Sequence, residues 1–314
     1  MVNKRVMTTV ALCGGLAIGA GGCGEEEAAG GGTGELRGSI RIDGSSTVYP
    51  FAQAAAESFM ARNPGVRIAV GQSGTGGGFE KFCAGETDVS NASRPIKPDE
   101  EVPLCEEGGV EYAQVQVAND GIAVVSNKAL PIDCLTTGQL EELWATPRVK
   151  RYAEIDPELP DRQVSLFGPG TDSGTFDFFT GEVNGDEGRT RKDYQPSEDD
   201  NVLVQGVQGD EGGLGYFGFS YYEQNRDELN LIAVDAGDGC VEPSRESIQD
   251  GSYEPLSRPL FMYPSAKAIR RPEVRAFLDH VERRHAQIAA DAQLVAMTAE
   301  QARRARQALT EAER

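Results

Sequence analysis

Apolar residues recur along this chain with two periods, and their order predicts strands and helices in alternation. Residues 39–42 alternate apolar and polar positions as a strand does, and 43–47 form a turn. Beyond it Val48, Phe51, Ala52, Ala55, Phe59 and Met60 fall at helical spacing. Residues 66–70 predict a second strand, 71–78 a glycine loop, and Phe79, Phe82 and Cys83 the start of the next helix. A short strand over 88–95 follows, then a longer apolar run at 114–125 that reads as a crossing into a second domain.

The second half repeats the scheme. Thr136 and Gln139 have capping-box spacing ahead of Leu140, Leu143 and Trp144. Val164, Leu166 and Phe167 make a short strand that runs into glycines at 168 and 170, then small polar residues, then Phe176, Phe178 and Phe179. The polar stretch 180–200 predicts a surface excursion, 202–207 a helix, 212–218 a close-packed glycine turn, and 229–234 a strand. Residues 258–263 read as the return crossing, and helices follow Pro272 and over 300–312. The expected architecture is α/β, with two lobes of mixed sheets joined by two crossings. Lobe 1 takes residues 37–122 and 259–314, and lobe 2 takes 123–258.

Three strand-to-helix turns carry the candidate chemistry. The first amides of a helix lack intrahelical partners and carry the positive end of its dipole, so such ends suit an anion. The first turn offers Ser46 and Thr47, where ordinary capping by one hydroxyl is the alternative. The second, a glycine run containing Thr75, lacks the Lys-Ser/Thr ending of a P-loop and the spacing of a dinucleotide fingerprint. The third offers Asp172, Ser173, Gly174 and Thr175. Ser93 and Arg94 close the strand at 88–95, and Arg94 suits bidentate oxyanion recognition or a plain surface position. Ligands of such sheets sit at the carboxyl ends of strands, here in a cleft between lobes.

A net charge of −20 and a pI near 4.6 argue against nucleic acid or an anionic membrane surface as partner. They leave a small anion open, because a cleft feels local dipoles more than a screened global field. Lys4 and Arg5 precede a short apolar stretch and small residues ending at Cys23, the pattern of an export signal over 1–22. Cys23 resembles the lipidated residue of a lipobox, although Ala20 stands where leucine is usual. Residues 23–36 form a flexible tether. Cys83, Cys105, Cys134 and Cys240 are then an even set in an exported chain. Three pairings are possible, of which Cys83–Cys105 and Cys134–Cys240 are favoured. Zinc is disfavoured, since no CxxC pair exists and His280 and His285 lie far off in sequence.

The motifs Asp43-Gly-Ser-Ser-Thr-Val-Tyr-Pro50, Gly74-Thr-Gly-Gly-Gly78, Ala92-Ser-Arg-Pro-Ile96, Gly168-Pro-Gly-Thr-Asp-Ser-Gly-Thr175 and Leu214-Gly-Tyr216 resemble the phosphate-binding protein of bacterial high-affinity phosphate ABC transporters. The resemblance runs from about residue 38 to 285 in unbroken motif order. It implies a type II periplasmic binding fold and no catalysis. It also implies a monomer that delivers inorganic phosphate to permease subunits from the outer face of the cytoplasmic membrane or the periplasm. Thr47, Thr75 and the triplet Ser173, Gly174 and Thr175 match the family's phosphate contacts. Ser93 stands where one branch has aspartate, and Pro169 where it has arginine. Arg94 and Asp172 are expected to supply the missing charge and proton acceptor, with Asp43 second for the latter role. Rival readings are a sulfate or molybdate binder, an exported hydrolase using Ser173 or Thr175, and a lipoprotein that kept the fold without a ligand.

Overall fold

The computed structural model describes residues 36–171, 173–197 and 199–312. The expected export signal, Cys23, nearly all of the tether, and Asp172 lie outside the described residues. Among those described, no helix is long and apolar enough to cross a membrane.

The first lobe opens with β1 (Gly38–Gly44), α1 (Tyr49–Met60), β2 (Val66–Val70), α2 (Gly74–Cys83), β3 (Val89–Ala92) and α3 (Glu101–Glu107). β1 pairs in parallel with both β2 and β3, an arrangement that requires a crossover between strands, here α1 and α2. α1 buries Phe51, Ala52, Ala55, Ala56 and Phe59 on one face. All of these but Ala56 pack with Ile40, Ile42 and Phe277 in a continuous core. The helix α2 begins at Gly74, so most of the glycine run expected as a loop is its first turn.

β4 (Val115–Asn127) leads out of this lobe into β5 (Cys134–Thr136) and α4 (Thr137–Ala145). The expected capping box at α4 is formed, with Gln139 N donating to Thr136 Oγ1 and Thr136 N to Gln139 Oε1. Then come β6 (Ser165–Pro169), α5 (Gly174–Asn184), β7 (Gln195–Ser197), α6 (Asp200–Gly209), β8 (Gly213–Gly218), α7 (Phe219–Asn225), β9 (Leu229–Asp235), β10 (Cys240–Val241) and α8 (Arg245–Asp250). β11 (Ser257–Pro264), α9 (Ala266–Ile269), α10 (Pro272–Asp291) and α11 (Ala299–Glu311) complete the chain.

Two strands tie the lobes. β11 lies antiparallel between β3 and the first half of β4, while the second half of β4 pairs with β8 and β9. The strand order is therefore β2-β1-β3-β11-β4-β8-β6-β7, with one large apolar core on each half and a smaller cluster around Phe79, Phe82 and Tyr263 beside the first. The second core centres on Trp144, Phe179 and Tyr216, the last two stacked at 3.7 Å.

Two expectations are corrected. Of the stretch 212–218, all but Gly212 is the strand β8 rather than a turn. Its glycines admit close neighbours: a Cβ on Gly215 would lie 2.7 Å from Phe167 O and 2.8 Å from Val207 Cγ2. Nor is 180–200 wholly a surface excursion. α5 continues to Asn184, Thr180 and Asn184 are buried, and the Arg191 guanidinium sits inside, on Leu143 O and Asp193. Disulfides join Cys83 to Cys105 and Cys134 to Cys240, the favoured pairing.

Candidate functional site

Three helices begin at one cleft. It has a volume of about 870 Å³ and is lined by Ser45, Ser46 and Thr47 before α1, the first residues of α2, Ser93 and Arg94 after β3, and Gly174 of α5. No side chain caps the first amides of α1 or α2, and neither first turn carries a carboxylate. The first amides of α2 are thus left to the cleft, with the positive end of its dipole. At α1 Tyr49 N donates to Ser45 O and Pro50 has no N–H, so that turn meets the cleft through Ser45, Ser46 and Thr47. α5 differs: the Ser173 hydroxyl accepts from Thr175 N at 3.2 Å, a self-supplied cap.

The expected residues fall into two groups. Thr75 Oγ1 and Ser93 Oγ are 3.1 Å apart, and Ser93 N donates to Thr75 Oγ1 at 3.3 Å. Ser46, Thr47 and Gly174 form the second group, across the lobes. A Cβ placed on Gly174 would lie 2.5 Å from Ser46 Oγ, 2.6 Å from Thr47 Oγ1 and 2.8 Å from Thr47 N. Only glycine allows this approach. Ser173 and Thr175 flank Gly174 without lining the cleft themselves.

Arg94 lines the cleft but its charge is engaged. Its Nη1 and Nη2 donate to Glu101 at 2.8 and 2.7 Å, a bidentate clasp that also raises the pKa of the guanidinium. Asp43 is likewise engaged, contrary to its expected reserve role. It accepts from Gly44 N, Ser73 N, Ser73 Oγ and Lys81 Nζ at 2.6–3.0 Å. Burial pushes its pKa up, but these hydrogen bonds prevail and hold it below the usual carboxylate value. It ties β1 to α2 and does not line the cleft.

Sequence reasoning missed Arg258. It stands at the start of β11, and its side chain is only 12% exposed. Nη2 donates to Thr47 Oγ1 at 2.6 Å and reaches Gly174 O at 3.4 Å, touching both lobes at once. Asp120 on β4 faces Nε and Nη2 at 3.3 Å, and the guanidinium lies 3.7 Å above the Phe178 ring. Burial pulls its pKa down and Asp120 opposes this. A guanidinium is not deprotonated in proteins, so the group is a cation at neutral pH. The available signal was a lone charge heading an apolar crossing strand. Asp177, also on the cleft wall, has its pKa raised by burial and by Glu187, with Arg258 opposing.

The site can enclose a small oxyanion with amides, hydroxyls and one buried cation. Among the described residues no group of histidine, cysteine or carboxylate side chains could hold a metal. Residues 27–282 match the PBP superfamily domain. Protein SphX of Synechocystis sp. is 48% identical over 77% of this chain and 73% of its own. The phosphate-binding protein PstS of Staphylococcus saprophyticus is 41% identical over 86% of this chain and 82% of its own. The crystal structure of a possible phosphate binding protein from Planctomyces limnophilus superposes with a TM-score of 0.83 at 40% identity, covering 89% of this chain and all of that one. By fold, cleft and these likenesses, the chain belongs to the PBP superfamily, in the group that includes PstS and SphX.

Proposed function

We propose that this protein captures inorganic phosphate between its lobes and hands it to the permease of an ABC transporter. The carrying observation is the convergence of the 45–47 turn before α1, the uncapped end of α2, the Thr75–Ser93 hydroxyl pair and Gly174 on one cleft. Residues 37–122 and 259–314 form one lobe of this capture device and 123–258 the other. Thr47, Ser46, Thr75 and Ser93 bind from the first; Gly174, with Ser173 and Thr175, binds from the second. Arg94, clasped by Glu101, shapes the wall. Asp172 accepts the phosphate proton and so disfavours sulfate, which has none to give at neutral pH.

The protein works as a binder rather than an enzyme. Both histidines lie in α10, away from the cleft hydroxyls, so no imidazole base is at hand for a serine or threonine nucleophile. Two disulfides suit an oxidising compartment, and we place the protein outside the cytoplasmic membrane, as a monomer held by lipid on Cys23. Titration calorimetry with phosphate, sulfate and molybdate tests the reading. Phosphate is expected to bind in the micromolar range or tighter, about −8 kcal/mol or more, with sulfate and molybdate far weaker. Sulfate or molybdate binding above phosphate would replace the assigned ligand, and no binding of any oxyanion would remove the function.

A further inference from the structure

We infer that Arg258, from the returning strand β11, is the residue that meets the negative charge of the bound anion. The inference rests on the phosphate reading above. Three cations line the cleft, Arg94, Lys97 and Arg258. Arg94 is held at both ends by Glu101, and Lys97 is exposed and bonded to Glu100 at 2.8 Å. Arg258 is buried; among the described residues its one ion pair is with Asp120 at 3.3 Å, and Asp177, Glu182 and Glu187 of the same cleft act on it from farther off. Charge-assisted bonds of this kind are usually 2.7–2.9 Å, so the pair with Asp120 is a loose one.

The placement of the guanidinium supports the same role. Nη2 rests between Thr47 Oγ1 and Gly174 O, at the point where the turns of the two lobes meet. An anion seated on those turns therefore lies within reach of the fork. Nη1 donates to no acceptor among the described residues, while the side chain lines the cleft, which leaves that end of the fork available. The Phe178 ring beneath fixes the plane of the group and favours its charge. The resemblance put an arginine at the position of Pro169. Here the cation comes instead from a different strand, one shared by both lobes.

The test is a double-variant comparison by phosphate titration calorimetry. Arg258→Gln alone should weaken binding by about 100-fold or more, since it removes charged hydrogen bonds and leaves Asp120 unpaired. The variant carrying both Asp120→Asn and Arg258→Gln has no unpaired buried charge and guards against simple misfolding. It should still bind at least about tenfold more weakly than the parent, as the loss of one charged hydrogen bond predicts. A double variant that binds like the parent would make Arg258 only the counter-ion of Asp120 and overturn the inference. So would full affinity in Arg258→Gln alone. Failure of the parent to bind phosphate would instead sink the ligand assignment, which the same titration series reads separately.

Discussion

Gly174→Ala should separate closure from folding. The added methyl would meet Ser46 Oγ, Thr47 Oγ1 and Thr47 N at 2.5–2.8 Å, where ordinary van der Waals contact begins near 3.4 Å. Something must shift by roughly 0.6–0.9 Å, and the crowded atoms belong to opposite lobes. Either lobe can keep its own core intact while the two move apart, so the strain falls on the closed arrangement. Overpacking of this kind costs about 1–3 kcal/mol. If that penalty applies only to the closed form, the apparent phosphate affinity falls by about 5- to 150-fold. The ligand-free protein should keep its urea midpoint. Calorimetric titration and ligand-free denaturation together make the test. Unchanged affinity, or a loss of ligand-free stability as large as the loss of binding, would refute the reasoning.

Thr47→Val removes the hydroxyl that accepts from Arg258 at 2.6 Å, and phosphate affinity should drop by about 10- to 150-fold, the range of one charged hydrogen bond; titration reads it directly. Replacing Cys134 and Cys240 together by serine opens a link between residues 106 apart and should lower unfolding stability by about 2–5 kcal/mol in urea. His280 is buried against α1 with Ser58 Oγ at 2.8 Å, and its pKa is lowered by burial first, then by Arg284, Arg62 and Arg283. The unfolded chain therefore takes up the proton more readily, so this contribution to stability is complete above about pH 6.5 and is lost as pH falls below it. His280→Gln should flatten the fall in urea midpoint between pH 7.5 and 5.5; an unchanged slope would count against the argument.

Much of this was legible because the relevant signals are local. The stripe Phe51, Ala52, Ala55, Phe59 gave α1, Thr136 and Gln139 gave the start of α4, and hydroxyls after glycines marked the turns of the cleft. What was misread depended on distant neighbours. Gly213 and Gly215 read as a turn because their small size reflects the close approach of Val207 and Phe167, which sequence spacing does not encode. Arg191 looked like surface, yet it enters the second core because backbone carbonyls 42 and 48 residues upstream receive it. Arg94 and Arg258 were indistinguishable as types. Their roles diverge because Glu101 lies one helical turn beyond Lys97, whereas Asp120 and Thr47 reach Arg258 only through tertiary pairing.

β4 has one further consequence. Its first half completes one sheet and its second half completes the other, with no loop between. Neither half of the protein could be cut out and expressed alone without stripping a ladder from the remainder. Assembly is accordingly expected to be a single cooperative event, giving one calorimetric melting transition in which the cores of both halves appear and vanish together.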